Sequence, residues 1–112
     1  MLKIVYDGKN DPRTFKEVIG GTIMSLLDSD PDVIYVDADL MSTIGTAKYH
    51  QQHPDRAINV GISEANMMGV AAGLAAAGFR PIAHTFGPFA SRRCFDQVFL
   101  SAGYAGNDIT VI

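Results

Sequence analysis

AINVGISEANMMGVAAGLAAAGFRPIAHTF, residues 57–86, holds the pattern that decides the fold. AINV (57–60) and PIAHTF (81–86) are short apolar runs of strand character. Between them residues 64–77 are apolar nearly all round, with Met67, Val70, Ala71 and Leu74 in helical register. Gly69 and Gly73 lie one turn apart, where a neighbouring backbone could approach closely. A strand, a helix and a second strand in this order predict a right-handed crossover between parallel strands.

The same alternation extends in both directions. VIYV (33–36) is a continuous run rich in β-branched residues, as expected of a strand buried on both faces. Ahead of it, Thr14 and Glu17 form a capping box, and Phe15, Val18, Ile19, Ile23, Leu26 and Leu27 follow helical spacing to about Asp28. Gly20-Gly21 inside that helix costs about 1 kcal/mol per glycine against alanine, which predicts another element packed closely there. Residues 37–56 read as a long loop with a short helix. Pro88 suits the first turn of a helix carrying Phe95, Val98, Phe99 and Ala102, and DITVI (108–112) reads as a last strand. Residues 1–12 form a polar arm with turns at Asp7-Gly8 and Asp11-Pro12. The expectation is an α/β, three-layer α/β/α domain with a mainly parallel sheet. A strand at the end of an α/β unit is usually followed by another crossover, so the domain is expected to be incomplete after residues 109–112.

Composition narrows the class. The 112 residues are 47% hydrophobic and 19% charged with a net charge of −3, ordinary for a single globular domain. That balance offers no footprint for nucleic acid or for a membrane surface, and no apolar run is long enough to span a bilayer. A lone Cys94 fits a reducing compartment, and the first ten residues are too short and too charged for a signal peptide, so a cytoplasmic setting is expected.

Ligands of open α/β sheets bind beyond the carboxyl ends of the strands. Here those ends carry Asp37-Ala38-Asp39, Gly61-Ile62-Ser63-Glu64 and His84-Thr85-Phe86-Gly87-Pro88-Phe89. Carboxylates beside two phenyl rings suit a flat, weakly basic aromatic ligand. There is no GxGxxG after a strand and no Walker loop, hence no self-sufficient phosphate site. His50 and His53 lack zinc spacing, and Cys94 lacks a nucleophile's context.

At these residues the chain resembles the pyrimidine-binding domain of transketolase-type thiamine diphosphate enzymes. The matching stretches are DADLMSTIGT, INVGISEANMMGVAAGLAAAGFRPIAHTF and FGPFASRRCFDQV. The resemblance spans about residues 33–99 and is closest to the C-terminal subunit of bacterial transketolases split into two chains. It implies that Glu64 is the catalytic carboxyl. Bonded to the pyrimidine nitrogen, it favours the imino tautomer, whose nitrogen then takes the thiazolium proton; desolvation would raise its pKa for that purpose. Phe86 and Phe89 match the aromatic pocket, Asp39 an acid close to the cofactor, and Arg92 a residue at the pyrimidine edge. Arg13 and Thr43 fall where relatives hold a sugar phosphate. The family's Gly-Asp-Gly…Asn diphosphate and metal site is absent, and YDGKN is not a version of it. Mg²⁺ (or Ca²⁺) and the diphosphate are therefore expected on a companion chain, in a self-associating, dimeric enzyme moving two-carbon ketol units between sugar phosphates. This chain alone would be inactive.

Other readings stand beside these. By residue type alone, Glu64 is a helix-dipole partner with Ser63 as cap, and Phe86 and Phe89 are core. Asp37 and Asp39 are solvated acids or caps, and Arg13 is a surface arginine. Arg92 and Arg93 pair with Asp96 or a partner chain, and His84 is structural. The alternative functions are a β subunit of a 2-oxoacid dehydrogenase, a deoxyxylulose phosphate synthase module, or a non-catalytic flavodoxin-like domain.

Overall fold

The computed structural model describes residues 8–112, so most of the expected N-terminal arm, Asp7 of its first turn included, lies outside the described residues. Helix α1 (Phe15–Ser29) starts at the expected capping box. The Glu17 N–H donates to Thr14 Oγ1 at 3.2 Å, and the Thr14 N–H donates to Glu17 Oε2 at 2.6 Å. Its inner stripe is Ile19, Ile23 and Leu27, four residues apart, with Gly20 beside them. Phe15, 80% exposed, continues that stripe past the sheet, and Val18 and Leu26 flank it on the outside. The helical register is correct, but only its central row is core.

Strand β1 (Val33–Asp37) is buried at every position. Two short helices, α2 (Met41–Ile44) and α3 (Ala47–Gln52), lead to β2 (Ala57–Asn59). Helix α4 (Glu64–Ala76) crosses to β3 (Arg80–His84), which ends two residues before the expected Phe86. The single helix expected after Pro88 is three pieces: α5 (Gly87–Arg92), α6 (Phe95–Gln97) and a π-helical stretch Val98–Tyr104. Strand β4 (Thr110–Val111) follows. All strand pairs are parallel, in the order β2-β1-β3-β4, with Asp37 opposite Asn59 on one side and His84 on the other.

Two cores flank the sheet. Ile23, Leu27, Val33, Tyr35, Met41, Ile44, Ala57 and Ile82 pack on the α1–α2 face. Ile34, Val36, Met67, Met68, Ala71, Ala83 and Cys94 pack under α4. Cys94 and Val98 turn inward onto this second core, which leaves Phe95 and Phe99 59% exposed each and stacked on one another. Gly20 meets the expected close approach: a Cβ there would lie 2.0 Å from the Ile44 carbonyl oxygen. Gly21, Gly69 and Gly73 have nothing within 4 Å, so of the two uses expected of the small-residue face of α4, tight internal packing and a subunit contact, the first is absent at Gly69 and Gly73. The Arg56 guanidinium donates to the carbonyls of Leu27, Asp30 and Val33, tying the end of α1 to the start of β1. Among the described residues no helix is long and apolar enough to cross a membrane.

Candidate functional site

The crossover after β1 lies on one face of the sheet and the crossover after β2 on the other, so the switch point falls between the carboxyl ends of β1 and β3. The expected rim residues gather around this point. Glu64 opens α4 and is only 5% exposed. Ser63 does not cap it; its hydroxyl donates to the Val60 carbonyl instead. The carboxyl has a charged companion that the sequence did not reveal. Arg93 Nη1 donates to Glu64 Oε1 at 2.9 Å, and the same guanidinium lies 3.6 Å from the Phe89 ring centroid. Arg93 therefore pairs with Glu64 rather than Asp96, while Arg92 is exposed. The break in the helix at Arg93-Cys94 creates this arrangement. Cys94 folds inward, its thiol against the Ala90 carbonyl, and Arg93 swings over Phe89. Burial, and then the Glu64 charge, push the Cys94 thiol above its usual pKa, as befits a packing residue.

Glu64 Oε2 accepts no hydrogen bond from the described residues, yet it is not sealed from solvent. One oxygen is thus fixed and one is open. Phe89 reaches Glu64 through the Arg93 guanidinium that lies on its ring, and Phe86 packs on Phe89 with ring centroids 5.9 Å apart; Phe86 is 46% exposed, available to a ligand rather than spent in the core.

Asp39 is exposed and holds φ +66°, the left-handed region, the one non-glycine among the described residues to do so. Asn59 secures it. Asn59 Oδ1 accepts from the Asp39 N–H at 3.1 Å and the Gly61 N–H at 2.9 Å, which joins the β1 loop to the loop leading into Glu64. Asn59 carried no signal in the sequence beyond its place at a strand end.

Asp37 is not a solvated acid but fully buried. Its Oδ2 lies 2.5 Å from Tyr35 Oη and 2.7 Å from His84 Nδ1, and Oδ1 accepts from the Leu40 N–H. Burial, and then the Asp37 charge, hold the Tyr35 phenol far above its usual pKa, so it remains a donor. His84 and Thr85 line a cleft of about 660 Å³ with Phe86, Phe15, Ile19, Lys16, Thr43 and Ile112. Thr43 Oγ1 donates to the Leu40 carbonyl. Arg13 is outside this cleft, its guanidinium bidentate on Asp11 at 3.0 and 2.8 Å, so the structure does not bring Arg13 and Thr43 together.

Comparison with known proteins follows the same lines. The family described as transketolase, pyrimidine binding domain, matches residues 11–112. The chain is 41% identical over 107 residues to the 6-deoxy-6-sulfo-D-fructose transketolase subunit SqwH of Clostridium sp. (strain MSTE9), covering 96% of this chain and 33% of that protein. It is 32% identical to a 1-deoxy-D-xylulose-5-phosphate synthase of Cutibacterium acnes, covering 88% of this chain and 16% of that one. Among solved structures, a split gene transketolase described as an inactive β4 tetramer superposes with a TM-score of 0.74 at 35% identity, over 86% of this chain and 32% of the other. The chain therefore spans a third or less of each of these relatives.

Proposed function

We infer function from membership: this chain belongs to the transketolase pyrimidine-binding domain family, and its role is to hold the aminopyrimidine of thiamine diphosphate in a split transketolase. The observation that carries this reading is Glu64, a buried carboxyl with one oxygen fixed by Arg93, which itself lies on the Phe89 ring of the Phe86–Phe89 pair, and one oxygen left open. Those residues fit an aminopyrimidine, which offers a ring nitrogen to a carboxyl and flat faces to phenyl groups. When bound, thiamine diphosphate supplies an acidic carbon and an electron sink for moving a two-carbon ketol unit from a ketose phosphate to an aldose.

In this chain Glu64 Oε2 holds or shares the proton at the ring nitrogen, and Arg93 leaves it a single orientation. Phe86 and Phe89 stack and exclude water. Asp39 provides an acid near the cofactor, and Arg92 reaches the pyrimidine edge. Thr43 and Arg13 serve the substrate phosphate; Arg13 would first have to leave Asp11. Mg²⁺ (or Ca²⁺) and the diphosphate belong to a companion chain. Self-association, a cytoplasmic setting and inactivity of the isolated chain complete the proposal. The synthase relative favours a second reading, in which the same carboxyl serves a deoxyxylulose phosphate synthase.

The test is reconstitution. This chain is mixed with companion chains bearing a diphosphate-binding domain, Mg²⁺ and thiamine diphosphate, and exchange of the thiazolium C2 proton is followed by NMR. Glu64→Gln should slow exchange by about 10²–10⁴-fold with folding intact. Equal exchange in the variant sinks the proposal.

A further inference from the structure

The buried Tyr35–Asp37–His84 cluster has no task in the function proposed above, and its geometry is that of a poised imidazole. His84 Nδ1 lies 2.7 Å from Asp37 Oδ2, and Tyr35 Oη lies 2.5 Å from the same oxygen and 3.0 Å from Nδ1. Two acceptors at 2.7 Å would repel, so Nδ1 carries a hydrogen and donates it to Asp37, and the phenol donates to the same carboxylate. This fixes the ring and its tautomer and leaves Nε2 as the acceptor. Nε2 has no partner among the described residues and is not sealed, and His84 lines the 660 Å³ cleft. A histidine that served only to satisfy Asp37 would not need an open second nitrogen.

A second observation stands at the next residue. Thr85 Oγ1 is the one buried side-chain polar atom without a hydrogen-bond partner among the described residues, and Thr85 lines the same cleft. A buried hydroxyl left unpaired is unfavourable, and a ligand oxygen or hydroxyl would satisfy it. Phe86 also lines this cleft while its ring packs on Phe89, so the cleft adjoins the aromatic pair at Glu64. The titratable groups around the imidazole are Asp37 and Tyr35 on β1 and, across the cleft, Lys16 of α1.

We propose that His84 contacts the sugar substrate. Its Nε2 accepts a hydrogen bond from a substrate hydroxyl and takes its proton, while Thr85 Oγ1 binds a neighbouring oxygen and Asp37 and Tyr35 act as positioning residues. In the proton step the O–H bond breaks, its electron pair stays on oxygen, and the imidazolium formed is paired with the Asp37 carboxylate. The proton returns when the hydroxyl re-forms. The inference rests on the transketolase reading, because it needs a sugar beside the cofactor.

The test uses the reconstituted complex with thiamine diphosphate and whichever of D-fructose 6-phosphate and 6-deoxy-6-sulfo-D-fructose it turns over. Thiazolium C2 exchange requires no sugar, so it reports on Glu64 alone. His84→Gln should leave that exchange within about twofold and lower kcat/KM for ketol transfer by about 10²-fold or more. Tyr35→Phe, a milder change, should lower kcat/KM several-fold while C2 exchange stays unchanged. Unchanged transfer in His84→Gln overturns the proposal. So does a parallel loss of transfer and exchange, which would make His84 a support of the fold. A wild-type complex that shows no C2 exchange fails at the Glu64 reading instead and takes this proposal with it.

Discussion

A carboxylate beneath a guanidinium is cheap to keep and costly to orphan. Glu64 is 5% exposed, whereas the Arg93 side chain is 49% exposed, so Arg93 is screened by water on one side only. Replacing Arg93 by Met should therefore destabilise the chain by about 1–2 kcal/mol, below the 3–5 kcal/mol of a fully buried pair. In a urea titration, Arg93→Met combined with Glu64→Gln should be less destabilised than the two single losses added together; strict additivity would mean that the pair contributes no coupling. Cys94 provides a pH signature. Its thiol pKa is raised on folding, so above about pH 8.5 the unfolded chain loses a proton that the folded chain keeps. Stability should fall as pH rises beyond that point, and Cys94→Ala should flatten this part of the pH–stability curve. Motif spacing singled out Glu64, Phe86 and Phe89 as candidates. Arg93 was hidden because its direction depends on a helix break, and periodicity carries no information about a break.

Elements were legible where one face of a helix or both faces of a strand are buried, and less so where burial is shared with a neighbour. Val33–Asp37 is buried throughout and read correctly, whereas the register of α1 overstated its core because only the row Ile19, Ile23 and Leu27 meets the sheet. The glycine pair of α1 shows the same limit. Both residues looked like contact points, yet only Gly20 faces the Ile44 carbonyl, 2.0 Å from where a Cβ would lie. Gly20→Ala must push α2 away and should cost about 1–3 kcal/mol, visible as a lower Tm. Gly21→Ala meets open space on a helix and should stabilise by up to about 1 kcal/mol. If both substitutions lower Tm equally, the α1–α2 contact is not the tight joint described.

At the scale of the molecule, strand order makes the site and is what the sequence concealed. Tyr35 and Asp37, two residues apart on one strand, share a face by the period of a strand, but their meeting with His84 requires β1 to lie beside β3. Alternating helices and strands predict a parallel sheet without saying which strands are neighbours. The same rim also exposes apolar surface that this chain does not cover. Ile62, two residues before Glu64, is 76% exposed, and Phe86 is 46% exposed. An apolar side chain with so little contact contributes almost nothing to the fold of its own chain. Ile62→Asp should thus change the unfolding free energy by no more than about 0.5 kcal/mol. A companion chain closing over Glu64 would bury that side chain, and a charge there should weaken assembly by about 1–3 kcal/mol, or roughly fivefold to more than a hundredfold in Kd. Sedimentation of the reconstituted mixture measures this directly. If Ile62→Asp assembles as tightly as the parent, the companion does not cover the rim at Ile62, and whatever completes the site approaches from the side of the His84 cleft.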